Sequence, residues 1–85
     1  MFKVILDKRV RDYVAKLDQK RKRQVAERIT ALQSDPRPHD FIKLKGDNGY
    51  RIGVGEYRIL YDIDDAQQLV TVYRVANRKD VYRGL

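Results

Sequence analysis

The chain has 85 residues, the length of one small domain, and we expect a single domain over residues 1–85. It has no cysteine and one histidine, His39, which excludes disulfides, a thiol nucleophile and a Cys/His zinc site. Nineteen Lys and Arg residues against 12 Asp and Glu residues give a net charge of +7, a balance that attracts nucleic acid or an acidic protein.

No apolar run is long enough to span a membrane, and the N-terminus becomes charged too early for a signal peptide. The sequence also lacks a Gly-rich phosphate loop and the motifs of serine hydrolases and zinc proteases. We therefore expect a soluble cytoplasmic protein that uses no membrane, metal or cofactor.

The chain begins with one predicted strand and one predicted helix. Residues 2–6 are a short apolar run typical of a strand. Asp7 stands where a helix N-cap is expected, and the helix is predicted over residues 8–17. Its apolar face has helical spacing and consists of Val10, Tyr13, Val14 and Leu17.

A second helix follows almost without a loop. Asp18 is its predicted N-cap, and its apolar face consists of Val25, Ile29 and Leu32. The helix must end before Pro36, because proline cannot continue it. The short connection predicts that the two helices form an antiparallel hairpin.

The second half of the chain predicts strands. Residues 36–48 have the composition of a loop, with three residues available to pin it to the core: Phe41, Ile42 and Leu44. From residue 50 the apolar period changes to two, which predicts a three-strand antiparallel meander with turns at 53–56 and 64–67. The tail, 76–85, is predicted to be irregular.

The predicted order is strand, helix, helix and three strands, which is typical of an α+β fold with two layers. The N-terminal strand must join the meander, but the edge with which it pairs is left open.

The positive charge has two concentrations. Residues 8–28 carry nine Lys and Arg residues, which are either the solvated faces of two surface helices or a footprint for phosphates. The second concentration lies on the sheet and the tail, and we interpret it as a candidate surface for RNA. It consists of Lys43, Lys45, Arg51, Arg58, Arg74, Arg78, Lys79 and Arg83.

Two arginines in the first hairpin of the meander lead to a more specific hypothesis about an anion site. A symmetric turn at Val54 and Gly55 would place Arg51 directly opposite Arg58. Like charges in that position destabilise a sheet. Either Asp62 or Glu56 compensates for them, or the two arginines form a paired site for an anion.

The tyrosines fall into two groups. Tyr82 lies in the polar tail, where it is either a stacking residue for single-stranded RNA or a tail residue folded back onto the sheet. The other group falls on strands at spacing compatible with the core, where we expect packing to explain it. This group is Tyr50, Tyr57, Tyr61 and Tyr73.

Four segments form a pattern that is specific as a set: KLKG at 43–46, YRI at 50–52, EYRILY at 56–61 and VANRKDVYR at 75–83. This set resembles the RelE/ParE toxin superfamily, and its RelE branch in particular. The resemblance covers essentially the whole chain and implies the two-layer RelE-like microbial ribonuclease fold.

The resemblance implies a toxin of a type II toxin–antitoxin system that enters the ribosomal A site and cleaves the mRNA there. A ribose 2′-hydroxyl attacks the adjacent phosphate and leaves a cyclic phosphate and a 5′-hydroxyl. The implied partners are the ribosome, its mRNA and an acidic RelB-like antitoxin that blocks the site. No cofactor or metal is implied.

The resemblance also implies roles for individual residues. Arg58 would stabilise the charge of the phosphorane, and Arg78 would contact the phosphate or the leaving group. Tyr82 would stack on or orient an A-site base. Arg51 stands where well-known members carry a lysine, and an arginine there can hold a phosphate but cannot release a proton near neutral pH.

One position departs from the family pattern. The second lysine of the family, often proposed as the general base, aligns with Gly53. The sequence therefore leaves the proton acceptor open, although positioned base catalysis contributes about 10²- to 10⁴-fold in rate. The candidates from the preceding loop are Lys43 and Lys45.

Two other functions stay open. A ParE-like toxin of the same fold would inhibit DNA gyrase by protein binding, without nuclease chemistry. A plain nucleic-acid-binding module would bind RNA with an affinity that falls steeply as salt rises, and it would not inhibit growth.

Overall fold

The computed structural model describes residues 1–46 and 49–83. In this part of the chain, two helices lie beside a five-stranded sheet, which confirms the predicted α+β fold. The elements are β1 (Lys3–Leu6), α1 (Lys8–Ala15), α2 (Gln19–Ala31), β2 (Ile42–Lys43), β3 (Gly49–Val54), β4 (Tyr57–Asp64) and β5 (Leu69–Asn77). Residues 47–48 of the predicted loop and 84–85 of the predicted tail lie outside the described residues.

Both predicted helix N-caps are confirmed. The Asp7 carboxylate accepts a hydrogen bond from the backbone N–H of Arg9, and the Asp18 carboxylate accepts one from Arg21, each at 2.8 Å. Each bond satisfies a backbone donor that the first turn of a helix leaves without a partner. Helix α1 ends at Ala15, two residues earlier than predicted. No helix in the described part of the chain is long and apolar enough to cross a membrane.

The strand order across the sheet is β1-β5-β4-β3-β2. Strands β3, β4 and β5 pair antiparallel, which confirms the meander. Strand β1 runs parallel to β5, with Lys3 opposite Leu69 and Leu6 opposite Val72, so the first strand joins the meander on the outer side of the last one. Strand β2 forms the other edge, within a segment predicted to be a loop, and it pairs with β3.

The main core lies between the helices and one face of the sheet. Apolar positions predicted on both helices are buried there, together with alternate residues of the strands. The buried residues are Val10, Val25, Ile29, Leu32, Ile52, Ile59, Tyr61, Val70, Val72 and Val75. The expected core role of the strand tyrosines is confirmed for Tyr61, which is buried, and Tyr50 and Tyr57 pack against this cluster.

A smaller apolar cluster lies on the other face of the sheet. Leu60, Ala76 and Val81 are buried in it, and Leu44 and Tyr73 pack against them. Val81 belongs to the tail, so the segment after β5 folds back over the sheet. The prediction that Ile42 pins the loop to the core is wrong, because β2 leaves that side chain 46% exposed.

Tyr61 links the sheet to the segment that follows α2. Its ring is fully buried, and its hydroxyl donates a hydrogen bond of 2.6 Å to the Pro36 carbonyl. Burial raises the pKa of Tyr61 from 10.0 to about 12. Because the unfolded chain releases this proton at a lower pH, the stabilisation is complete below pH 10 and is lost as the pH rises through about 12.

Tyr61→Phe removes one partner of this buried bond and leaves the Pro36 carbonyl unsatisfied. We expect the free energy of unfolding in urea to fall by about 1–3 kcal/mol. The matched control is Tyr57→Phe on the same strand, because its ring also packs against the main core while its hydroxyl takes no part in the bond to Pro36. An equal loss of stability in both variants would contradict a specific role for the bond.

Candidate functional site

The sheet presents a second face away from the helices, which we call the open face. Its side chains alternate along the strands with those of the main core. Across the strands, Gly53 lies opposite Arg58 and Arg51 opposite Leu60, and Leu60 in turn lies opposite Arg74. The residues that define the open face are Arg51, Gly53, Arg58, Leu60, Arg74 and Ala76.

The predicted pairing of Arg51 with Arg58 is wrong. The turn that joins β3 to β4 consists of Gly55 and Glu56, so Val54 pairs with Tyr57 and Arg58 lies opposite Gly53. Gly55 has a φ of +58°, and glycine is favoured at the first central position of a tight hairpin turn that needs this conformation. The two arginines therefore share the open face without facing each other directly.

The position opposite Arg58 leaves space for its guanidinium, because Gly53 has no side chain. The Arg58 guanidinium lies over this glycine, and a Cβ there would be 2.8 Å from Nη1. Nη1 donates hydrogen bonds to the carbonyls of Gly55, at 3.1 Å, and Tyr57, at 2.9 Å. The residue that departs from the family pattern thus makes room for one of the predicted catalytic arginines.

The tail brings Tyr82 over the open face. The Arg51 guanidinium donates a hydrogen bond of 2.8 Å to the Tyr82 hydroxyl, although the two residues are far apart in sequence. Tyr82 is still 47% exposed. Tyr82 is therefore folded back onto the sheet, as the interpretation of a packed tail residue expected. Its ring also stays accessible, as a residue that stacks on RNA requires.

Arg78 lies at the rim of the open face. It follows the end of β5 directly, and its backbone N–H donates a hydrogen bond of 2.7 Å to the Glu56 carbonyl in the β3–β4 turn. Its side chain is exposed. The structure thus brings Arg51, Arg58 and Tyr82 to one surface and leaves Arg78 at its border.

Of the two lysines of the preceding loop, Lys43 does not lie on the open face with the arginines. Lys43 pairs with Tyr50, and its ammonium nitrogen is 5.2 Å from the centre of the Tyr50 ring, which packs on the helix side of the sheet. Lys45 is exposed in the turn after β2. The open face therefore does not contain Lys43, and its role as a proton acceptor there is not supported.

The remaining basic residues of the predicted RNA surface lie on β5 and the tail. Lys79 is exposed, and Arg83 is exposed and forms an ion pair of 3.3 Å with Asp80. Arg74 is different, because its guanidinium bonds to backbone carbonyls of the tail. An RNA-binding role for these three residues stays a prediction.

Carboxylates neutralise several arginines outside the open face. Arg28 pairs with Asp40, and Arg37 pairs with Asp65. Neither of these pairs includes Arg51, Arg58, Arg74 or Arg78. Among the described residues, Glu56 forms no ion pair with Arg51 or Arg58, so compensation by Glu56 is not seen there. The arrangement favours the alternative, a cationic surface available to an external anion.

Arg51 and Arg58 line one cleft on this surface, with a volume of about 320 Å³. The cleft forms where the short strand β2 ends and exposes the edge of β3. Its wall also contains a carboxylate, Asp40, which the sequence did not single out. The full lining is Asp40, Ile42, Arg51, Ile52, Gly53 and Arg58.

Asp40 is held by helix α2. Nη2 of Arg28 donates hydrogen bonds to both of its carboxylate oxygens, and these bonds hold the pKa of Asp40 below its usual range. Asp40 is therefore ionised at neutral pH and can accept a hydrogen bond from a hydroxyl group, and its lowered pKa makes it a weaker base than a free aspartate. The described residues contain no group of three or more His, Cys, Asp or Glu side chains that could hold a metal ion.

A family model described as the ParE toxin of the type II toxin–antitoxin system parDE matches residues 7–82. No curated protein matches the chain.

Several solved structures of toxins share the fold. A chain of the archaeal RelE–RelB complex from Pyrococcus horikoshii OT3 is 25% identical, with a TM-score of 0.82 over 91% of this chain and 94% of that one. A chain of the RelBE2 complex from Mycobacterium tuberculosis is 26% identical, with a TM-score of 0.79 over 91% and 98%. The isolated RelE toxin of E. coli is 26% identical, with a TM-score of 0.73 over 96% and 91%.

Gly53→Ala tests the contact between Gly53 and Arg58. The added methyl group forces the Arg58 guanidinium to move, while alanine in a strand is more stable than glycine by about 0.5–1 kcal/mol. We expect the melting temperature to stay unchanged or rise slightly, and the Arg58 side-chain NMR signals to shift. Unchanged Arg58 signals would contradict the contact.

Proposed function

Because the chain belongs to the ParE toxin family of type II toxin–antitoxin systems, we propose that it is a RelE-type toxin that cleaves mRNA in the ribosomal A site. The observation that supports this proposal most strongly is the group of Arg51, Arg58 and Tyr82 on one surface. It offers two guanidinium groups beside an accessible aromatic ring. A phosphate with an adjacent base is a ligand that fits such a surface.

The proposed reaction needs no external nucleophile. The 2′-hydroxyl of a ribose attacks the adjacent phosphorus, and the bond from phosphorus to the 5′-oxygen breaks. The products are a 2′,3′-cyclic phosphate and a 5′-hydroxyl. Negative charge builds up on the phosphorane oxygens, where Arg58 and Arg51 act by electrostatic stabilisation. Tyr82 stacks on a base, and Arg78 contacts the phosphate or the leaving group.

We also propose Asp40 as the group that takes the proton from the 2′-hydroxyl. It lies in the wall of the cleft that Arg51 and Arg58 line, and Arg28 keeps it ionised. In this proposal, Asp40 takes the role of the lysine that the family pattern has where this chain carries Gly53. An Asp base loses its function as the pH falls through its lowered pKa, so we expect no loss of rate from this group near neutral pH.

The exposed basic residues around the open face extend the proposed contact with RNA. Lys45, Lys79 and Arg83 would bind phosphates, and Lys43 would do so from the edge strand. Each phosphate contact adds to the salt dependence of binding, because it releases counterions from the RNA. These residues would strengthen binding without selecting a sequence.

The proposed partner that regulates the toxin is an acidic RelB-like antitoxin. The net charge of +7 favours such a partner, and the similar chains from P. horikoshii and M. tuberculosis were solved in RelE–RelB and RelBE2 complexes. An acidic chain would be attracted to the arginines of the open face and would cover the cleft.

The second candidate function is inhibition of DNA gyrase by protein binding. It is favoured by the family match, which is to ParE, and by Gly53 at the position of the family lysine. A gyrase inhibitor has no need of the cleft or of an ionised Asp40 beside two arginines. A DNA supercoiling assay with added toxin separates the two functions, because only the ParE-like function blocks supercoiling.

Arg58→Ala tests the proposed cleavage. Primer extension on a defined mRNA in a reconstituted translation system should show cuts at the A-site codon only with ribosomes. We expect the variant to cut about 10²- to 10³-fold more slowly, because it loses charge stabilisation in the transition state. Arg11→Ala, an exposed arginine of helix α1, is the matched control and should cut like the wild type. Equal cleavage by wild type and Arg58→Ala would contradict the assignment.

Asp40→Asn tests the proposed proton acceptor. The amide keeps the size of the side chain but cannot accept the proton, so we expect cleavage to slow by about 10²- to 10⁴-fold. Asp35→Asn is the control, because Asp35 is an exposed carboxylate of the turn before Asp40 and lies outside the cleft lining. Thermal melting verifies that both variants fold. Wild-type rates in Asp40→Asn would exclude Asp40 as the base.

A further inference from the structure

Arg74 has an unusual set of partners for a residue expected to bind RNA. Its Nη2 donates one hydrogen bond to the Asp80 carbonyl, at 3.1 Å, and one to the Arg83 carbonyl, at 2.9 Å. These two carbonyls stand on either side of Tyr82 in sequence. A single side chain of β5 thus holds the tail both before and after the tyrosine that reaches Arg51.

The guanidinium has few donors left for a phosphate. Both hydrogens of Nη2 are used by the two carbonyls, and Nε is buried without a hydrogen-bond partner among the described residues. A bidentate arginine–phosphate contact needs two donors in one plane that are accessible from solvent. Arg74 is therefore poorly placed for direct RNA recognition.

The tail depends on such a tether because it has little regular structure. The Asp80 N–H bonds to the Asn77 carbonyl at 2.8 Å, and the Arg83 N–H bonds to the Asp80 carbonyl at 2.9 Å, so the segment is a pair of turns. Val81 is its apolar anchor and is 1% exposed against Leu60 and Ala76. Charged donors form hydrogen bonds stronger than those between neutral groups, so the Arg74 bonds are a substantial part of what fixes the tail.

We propose that Arg74 is a positioning residue that holds the tail at residues 80–83 and thereby sets the contact between Tyr82 and Arg51. Its effect on RNA cleavage passes through Tyr82 and rests on the proposed function. Its effect on the tail does not rest on that function, because the hydrogen bonds from Arg74 to the tail exist within the free protein.

Amide hydrogen exchange in the free protein tests the tether directly. In Arg74→Ala, the amides of Asp80 and Arg83 should exchange at least about tenfold faster, because the turns lose charge-assisted bonds. Amides of β3 should be unchanged. Lys79→Ala is the matched control, because it removes a positive charge from the same tail and leaves the Arg74 bonds intact. Unchanged exchange at Asp80 and Arg83 in Arg74→Ala would overturn the proposal.

A double-mutant cycle tests the path of the effect on cleavage. If Arg74 acts through Tyr82, Arg74→Ala slows the wild type but adds nothing to Tyr82→Ala. Arg74→Lys keeps the positive charge that a phosphate contact would need. It should still cut more slowly than the wild type, because an ammonium group does not reproduce the two hydrogen bonds that Nη2 donates to the tail. Additive losses, or full rescue by lysine, would identify a direct phosphate contact instead.

The two assays separate this proposal from the proposed function. Faster exchange in Arg74→Ala with no cleavage by the wild-type toxin would leave the tether correct and the nuclease assignment wrong. Unchanged exchange in Arg74→Ala together with normal cleavage by the wild type would leave the nuclease assignment correct and the tether wrong.

Discussion

The register of the β3–β4 hairpin places Gly53 opposite Arg58, and the arrangement of the open face depends on this pair. Because Gly53 has no side chain, the Arg58 guanidinium lies flat over β3 and bonds to two carbonyls of the turn region. Arg51 is then free to meet Tyr82 rather than a second guanidinium. A slip of one residue would turn every side chain of the strand to the other face and bury these charges under the helices.

The two faces of the sheet serve opposite requirements. The helix side carries the apolar contacts that stabilise a domain of 85 residues, including the fully buried Tyr61. The open face carries the arginines of the sheet, and exposed charges of this kind add little to stability. What holds it together is a small apolar cluster around Val81 and the bonds from Arg74 to the tail. The open face is thus suited to an anionic ligand, although its own charges add little to the stability of the fold.

Much of the fold could be predicted from local patterns. The caps at Asp7 and Asp18, the two helices and the meander follow from side-chain chemistry and periodicity within a few residues. The hairpin register could not, because a shift of the turn by one residue moves the pairing by two residues, which changes the partners while every side chain keeps its face. The contacts of Asp40 and Arg74 could not be predicted for a related reason, since their partners Arg28, Asp80 and Arg83 are brought to them only by tertiary structure.

The central claim is that the open face binds the phosphate that is cleaved. The most direct measurement is a cryo-electron microscopy structure of the toxin on a ribosome whose A-site codon carries 2′-O-methyl riboses, which removes the nucleophile and traps the complex before reaction. We expect the phosphate within hydrogen-bond distance of Arg58 and Arg51, with Tyr82 against a base. An A-site phosphate bound instead by the basic residues of α1 and α2, with the open face turned to solvent, would contradict it.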